Sequence, residues 1–129
     1  MPGRRRGESG CIGPRRRRGM RLILRPALLL MLAEGDSHGY ELIDQLDQLG
    51  FDAGSMDSSI IYRDLRDMEE MELIQSTWDD ESKGPKRRVY QIKEVGLDRL
   101  RTWLDSLEHV RGQIDILQKR YKKLPNQEE

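Results

Sequence analysis

Apolar positions along the chain predict three short helices, then two strands, then one long helix. The first helix is expected between Pro26, which suits a first helical position, and Gly35, which suits a helix stop. Residues 27–32 are apolar on every side of such a helix. A short helix without a polar face has to be buried, either against its own domain or against a second subunit.

The second helix is expected to run from Ser37 or His38 to about Leu49. Serine is a favourable N-cap, and the acidic Glu41 lies close to the helix start, where its charge suits the helix dipole. Gly50 follows the last apolar position, and glycine commonly ends helices. The apolar face recurs at spacings of three and four and consists of Leu42, Ile43, Leu46 and Leu49.

The third helix carries the most informative pattern. It is expected to be capped by Asp57 or Ser58 and to run to about Met71. At a rotation of about 100° per residue, its apolar side is marked by Ile61, Leu65 and Met68. The opposite side carries four polar residues, which we call the polar stripe: Ser59, Tyr62, Arg63 and Arg66.

The sequence from residue 74 to 92 changes to strand-like composition. Ile74 to Trp78 and Val89 to Ile92 are rich in residues that favour strands, and a charged stretch with turn-forming residues separates them. This pattern predicts a β-hairpin with a loose tip. Four basic residues cluster in the second half of this connecting stretch: Lys83, Lys86, Arg87 and Arg88.

The last predicted element is a helix from about Glu94 to Lys123, with apolar residues alternately three and four positions apart. Such spacing is typical of a heptad seam, which a single projecting helix cannot bury. A second copy of the chain is the simplest partner. We call the set the apolar seam: Leu100, Trp103, Leu107, Val110, Ile114, Leu117, Tyr121 and Leu124. The predicted dimer interface consists of Leu28, Leu100, Trp103, Leu107, Val110, Ile114, Leu117 and Tyr121.

Composition narrows the class of protein. The 129 residues are 36% apolar and 36% charged, which suits one domain with a small core. Cys11 is the single cysteine, so an internal disulfide and a multi-cysteine metal site are excluded. No apolar run approaches the ~20 residues that span a bilayer. Arg25 and Pro26 interrupt the apolar stretch after the arginine run, and no cleavage site follows, so we expect a cytoplasmic protein.

The net charge of zero hides a strong asymmetry. Residues 1–25 hold nine arginines and one acid, Glu8, so this segment carries +8 and the remainder −8. A segment rich in Gly, Pro and Arg cannot bury apolar surface, and we expect residues 1–21 to be a disordered basic arm. The arm is either an inert tail or an auxiliary contact to DNA phosphates or an adjacent minor groove.

The order of elements is that of a mainly α protein with a small β-hairpin, namely a winged helix-turn-helix with a long C-terminal dimerisation helix. The predicted organisation is the arm at 1–21, the winged helix-turn-helix DNA-binding domain at 22–93, the dimerisation helix at 94–124 and a tail at 125–129. In this architecture the third helix enters the major groove and the hairpin touches the backbone. The predicted DNA contacts are Ser58, Ser59, Tyr62, Arg63, Arg66, Lys83, Lys86, Arg87, Arg88, His38 and Tyr40.

Five short motifs carry a resemblance to a known family. They are Leu24–Gly35, His38–Leu42, Ile61–Arg66, Gly84–Tyr90 and Glu94–Gly96. In this order they resemble the first helix, a helix-start motif, the recognition helix, the wing and the start of the last helix of PadR-type transcriptional regulators. The resemblance extends over about residues 22–107.

The resemblance implies a homodimeric repressor of an inverted-repeat operator, controlled by a small aromatic or phenolic effector near the dimer interface. It implies that Trp103, with Leu107 beside it, stacks on that effector, whereas core packing alone also explains Trp103. Two positions depart from the family. Glu72 stands where a glycine is usual, so we expect the third helix to end differently. Lys93 replaces a threonine and is unable to cap the last helix.

The alternative function is a winged-helix module that binds a basic protein through its acidic body without sequence-specific DNA binding. An enzyme is not expected, because no nucleophile elbow, phosphate-binding glycine loop or facing carboxylate pair is present. No cofactor or metal is expected, since Cys11, His38 and His109 lack ligand spacing. His38 is expected to bond around the start of the second helix, with a proton switch as the alternative.

Overall fold

The computed structural model describes residues 22–51, 57–79 and 87–125. Residues 22–34 are helical and form α1. The following elements are β1 (Ser37–His38), α2 (Gly39–Gln48), α3 (Ser58–Glu70), β2 (Ile74–Asp79), β3 (Arg87–Ile92) and α4 (Glu94–Lys122). The predicted mainly α fold with a long last helix is confirmed. The predictions for the arm, Cys11, Lys83 and Lys86 lie outside the described residues.

The sheet has three antiparallel strands in the order β1-β3-β2, which is one strand more than predicted. The predicted hairpin pairs Ile74 with Ile92 at one end and Asp79 with Arg87 at the other. The additional strand pairs Ser37 with Tyr90 and His38 with Val89. Ser37 is therefore part of a strand, and the prediction that it caps α2 is wrong, because His38 occupies the N-cap position.

Helices α1, α2 and α3 pack with the sheet and the start of α4 around one apolar core. Leu28 has no exposed surface within its own chain, so the prediction that it lies in a dimer interface is wrong. Leu49, predicted to lie on the apolar face of α2, is 62% exposed, because the helix ends before it. The fully buried members of the core include Leu28, Leu29, Leu42, Leu46, Ile61, Leu65, Met68 and Leu73.

Helix α1 differs from its prediction in two respects. Residues 22–25 are already helical, so Pro26 lies inside the helix rather than at its first position. The helix is also not buried on every side, because Leu22 and Leu30 are exposed. Early in the helix, the Arg25 guanidinium lies 3.1 Å from an oxygen of Asp64 and 3.0 Å from one of Asp67, which joins α1 to α3.

Helix α3 ends in a left-handed turn, contrary to the expectation drawn from Glu72. This residue has φ +64° and occupies the conformation for which glycine is usual. The Leu73 N–H donates to the Met68 carbonyl at 3.0 Å, and the Glu72 N–H donates to the Glu69 carbonyl at 3.0 Å. These bonds satisfy carbonyl groups at the helix end and offset the steric cost of the glutamate.

Helix α4 starts against the turn that follows α3. Lys93 is its N-cap and makes no side-chain cap, as expected, while the Lys93 N–H donates to the Leu73 carbonyl at 2.9 Å. A Cβ at Gly96 would collide with the same carbonyl oxygen, so this close approach requires glycine. Leu100 is buried, and every residue from 111 to 125 is exposed. No helix among the described residues has the length and apolar character to span a bilayer.

Candidate nucleic-acid interface

The polar stripe lies on the exposed side of α3, as its spacing predicted. Ile61 and Leu65 turn their side chains fully into the core, and that orientation leaves the stripe facing outward. Asp57 caps the helix by accepting a hydrogen bond from the Ser59 N–H at 3.0 Å. The exposed polar residues along this side are Ser58, Ser59, Tyr62, Arg63 and Arg66.

The two arginines of the stripe are not neutralised by the acids of their own helix. Asp64 and Asp67 instead face Arg25 of α1. Among the described residues, no ion pair involves Arg63 or Arg66. Arginines on a helix surface can also pair with acids four residues further on, here Asp67 and Glu70, but the described residues show no such pairs. Two unpaired guanidinium groups stand ready for an external acceptor.

Tyr62 joins the stripe to the start of α2. Its ring lies so close to Gly39 that a Cβ at that position would collide with the ring. The glycine of the His38–Leu42 motif is thus required by packing against the recognition helix rather than by its own backbone dihedral. Tyr62 remains exposed along its outer side, so the same ring touches α2 and faces solvent.

His38 links the start of α2 to the end of β2. Its Nδ1 lies 3.1 Å from Glu41 Oε1, and its Nε2 lies 3.1 Å from Asp79 Oδ2. The His38 N–H and the Ser37 hydroxyl also donate to Glu41 Oε1, at 2.9 and 3.1 Å. These contacts agree with the expected role of His38 at the helix start, and both ring nitrogens already face protein carboxylates.

The same contacts set the charge state of Glu41. The backbone N–H of His38 holds the pKa of the Glu41 carboxyl below its usual value. A lowered pKa means that the cap stabilises the fold above the usual pKa of a glutamate. That stabilisation is lost as the pH falls through the lower, folded pKa.

Tyr40 and Arg87 form a second exposed contact beside His38. The Arg87 Nη1 donates to the Tyr40 hydroxyl at 2.9 Å, and the guanidinium lies 4.9 Å from the centre of the Tyr40 ring. The rings of His38 and Tyr40 are stacked with their centres 5.4 Å apart. Burial raises the pKa of the Tyr90 phenol nearby above its usual value.

These side chains surround a shallow cleft of about 410 Å³ between the start of α2, α3 and β3. We call it the aromatic cleft, and it is lined by His38, Gly39, Tyr40, Tyr62, Arg87, Arg88 and Tyr90. Among the described residues, no group of three or more His, Cys, Asp and Glu side chains is placed to hold a metal ion. The donors at the cleft, which are phenol and guanidinium groups, suit an anion instead.

Sequence reasoning missed Trp78, which lies on the wing formed by β2 and β3. Trp78 pairs with Arg88 across the ladder, and the Arg88 guanidinium lies 4.9 Å from the centre of the indole ring. The signal that could have found it is its alternation with Ile74, which puts both residues on one face of β2.

The apolar seam of α4 divides into a buried and an exposed part. Leu100 is buried, and Trp103, Leu107 and Val110 are half-buried. Trp103 packs against the core, and the Arg99 guanidinium lies 5.8 Å from the centre of its ring. The remaining members are exposed and comprise Ile114, Leu117, Tyr121 and Leu124.

The fold and the exposed polar stripe define a winged helix-turn-helix protein with a long C-terminal helix. The chain belongs to the PadR-like family of transcriptional regulators, whose family model matches residues 28–102. Non-enzymatic regulation of transcription is the activity of this family. The resemblance seen in the five motifs is thereby confirmed.

Solved structures agree with this assignment. A PadR-like transcriptional regulator from Bacillus cereus is 30% identical, with a TM-score of 0.65, and the match covers 76% of this chain and 93% of that one. A conserved protein of unknown function, described as a potential transcriptional factor, is 38% identical, with a TM-score of 0.66. That match covers 78% of this chain and 88% of the other. Bacillus subtilis PadR in complex with operator DNA is 22% identical, with a TM-score of 0.56 over 64% and 46%.

Proposed function

We propose that this PadR-like regulator is a homodimeric repressor that binds an inverted-repeat DNA operator through α3 and the wing. The observation that carries the proposal is the exposed polar stripe, in which the guanidinium groups of Arg63 and Arg66 form no ion pair with any described residue. A guanidinium can donate two parallel hydrogen bonds to the O6 and N7 of guanine in the major groove. The related Bacillus subtilis PadR was solved with operator DNA, which supports DNA as the partner.

The aromatic cleft contacts the DNA backbone and thereby fixes the position of α3 along the major groove. Arg87 is an exposed residue at its rim, where the Arg87 Nη1 donates a hydrogen bond to the Tyr40 hydroxyl. Phosphate contacts of this kind orient a protein on the duplex without reading sequence. The stripe therefore provides sequence preference, and the cleft provides affinity that depends on salt.

The exposed half of the apolar seam supports a second copy of this chain as the other partner. Ile114, Leu117 and Tyr121 leave apolar surface in water over the last turns of a helix that projects from the domain. Pairing two such helices removes that surface from water and produces two reading heads related by a two-fold axis. Two heads related in this way match an inverted-repeat operator.

A gel-shift titration tests the DNA-binding part of the proposal, with a duplex from upstream of the protein's own gene at two salt concentrations. We expect Arg63→Ala to weaken binding by about 1–3 kcal/mol, since a bidentate base contact contributes that much. Arg101→Ala is the matched control, because Arg101 is an exposed arginine on α4 that pairs with Asp98. It removes the same charge far from the stripe and should bind as the wild type does.

Two results would contradict the assignment of α3. One is wild-type affinity in Arg63→Ala and Arg66→Ala together, and the other is an equal loss in Arg101→Ala. If the wild type ignores DNA even at low salt, the module that binds a basic protein through its acidic body becomes the better account.

We further propose that Trp103 and Leu107 contact a small aromatic effector at the interface of the two copies. Trp103 is half-buried on the seam, with one side against the core and Arg99 near its ring. A flat ligand stacking there would quench the emission of this indole. A screen of aromatic acids and phenols should quench the wild type and leave Trp103→Phe unchanged, and equal quenching of both would reject the site.

A further inference from the structure

An exposed tryptophan stands on the wing and takes no part in the core. Trp78 is 55% exposed, whereas Ile74 on the same face of β2 is 1% exposed. Successive side chains of a strand alternate between its faces, so Ile74, Ser76 and Trp78 point to one side. The Ser76 hydroxyl donates to Glu69 Oε2 at 2.9 Å, which identifies this as the side that faces α3. Trp78 continues this face beyond the core, into solvent.

Arg88 holds the indole from the neighbouring strand. Its guanidinium lies 4.9 Å from the centre of the Trp78 ring. Its Nη1 donates to the Ser76 hydroxyl at 2.6 Å and lies 3.8 Å from Glu69 Oε1. A side chain that is already fixed loses less conformational entropy when it binds a partner. The indole and the guanidinium are therefore preorganised on the α3 side of the wing.

We propose that Trp78 and Arg88 form a contact site for the DNA backbone, in which the indole packs on a deoxyribose and free guanidinium N–H groups face the adjacent phosphate. The site rests on the proposed function, since it needs α3 in the major groove and the wing beside the backbone. Each sugar offers an apolar face next to a charged phosphate. A flat aromatic ring with an arginine over it complements that pair of groups.

Arg88 and Trp78 differ in the charge that each would bring to the DNA contact. Glu69 lies beside Arg88 and offsets part of its positive charge. Trp78 carries no charge and is an exposed residue. The indole therefore contributes affinity that does not depend on counterion release, unlike the contacts proposed for Arg63 and Arg66.

Tryptophan emission tests the contact directly, because the chain has two tryptophans. Wild type and Trp78→Phe are titrated with the duplex from upstream of the gene, while a gel shift follows binding of each protein separately. We expect the duplex to quench the wild type. We expect no quenching in Trp78→Phe, whose emission comes from Trp103 alone.

Affinity and salt dependence provide a second readout. We expect Trp78→Ala to bind the duplex about tenfold more weakly, with an unchanged slope of log affinity against log salt because no charge is removed. Gln75→Ala is the matched control, since Gln75 is an exposed residue on the opposite face of the same strand. It should bind with wild-type affinity.

The outcomes separate this site from the proposed function. If the duplex binds but quenches the wild type and Trp78→Phe equally, or if Trp78→Ala keeps wild-type affinity, the wing contact is overturned and DNA binding by α3 stands. If the wild type binds no duplex in dilute buffer, both proposals fall.

Discussion

Apolar residues are buried in the packed domain and exposed in the distal half of α4. Leu28 and Leu65 have no exposed surface, whereas Ile114 is 48% and Leu117 67% exposed. The apolar positions of α3, including Leu65, and those of α4 were predicted from the same kind of helical spacing. Helical periodicity therefore identifies an apolar face, but it does not show whether the same chain or a second molecule covers that face. Leu100 belongs to the seam by spacing, yet it completes the core of its own chain.

The largest expected effect comes from removing a core side chain. Leu28→Ala should lower the free energy of unfolding by about 2–5 kcal/mol, because it deletes buried methyl groups and leaves a cavity. Urea unfolding at a fixed protein concentration measures the loss. Sedimentation should show unchanged self-association of the folded protein. Weakened association with little loss of stability would return Leu28 to a subunit interface.

The next largest effect is expected from a charge in the exposed part of the apolar seam. Leu117→Asp should weaken self-association by about a hundredfold, because each copy in the proposed dimer would lose a leucine from the interface and gain a charge there. Sedimentation across a concentration series measures it, and circular dichroism should show that the domain stays folded. His109→Asp introduces the same charge off the seam and should associate normally. Equal loss in both variants would mean that the seam is not the interface.

The smallest effect concerns the turn after α3. Glu72→Gly should raise the free energy of unfolding by roughly 0.5 kcal/mol. A left-handed residue other than glycine costs roughly 1–2 kcal/mol, and the entropy of glycine cancels roughly 0.5–1 kcal/mol of that relief. Thermal unfolding of the two proteins measures the difference, while self-association stays unchanged. A lower melting temperature would show that the Glu72 side chain stabilises the turn.

Local patterns were predicted well because their causes are local. The bounds of α3, its Asp57 cap and its buried Ile61 follow from helical periodicity and capping chemistry within a few residues of each position. The exposure of the polar stripe follows from the same geometry. Strand β1 was missed because Ser37 and His38 are too few to show a period, and they form a strand only where β3 lies beside them.

Contacts across the sheet were beyond the reach of the sequence. The bond between Arg87 and Tyr40 joins residues 47 positions apart, and its existence depends on the register of β3. The position of Trp78 against Arg88 depends on the same ladder. The conformation of Glu72 was judged from its steric cost alone. The hydrogen bonds that offset this cost involve the end of α3 and appear only when the helix is folded.

The imidazole of His38 connects α2 to the wing. His38 faces Glu41 at the start of α2 with one nitrogen and Asp79 at the end of β2 with the other. Any hinge motion between the wing and the helices would have to break one of these two contacts of His38. In the proposed dimer, we therefore expect an effector to change the separation of the two DNA-binding domains rather than the shape of either one.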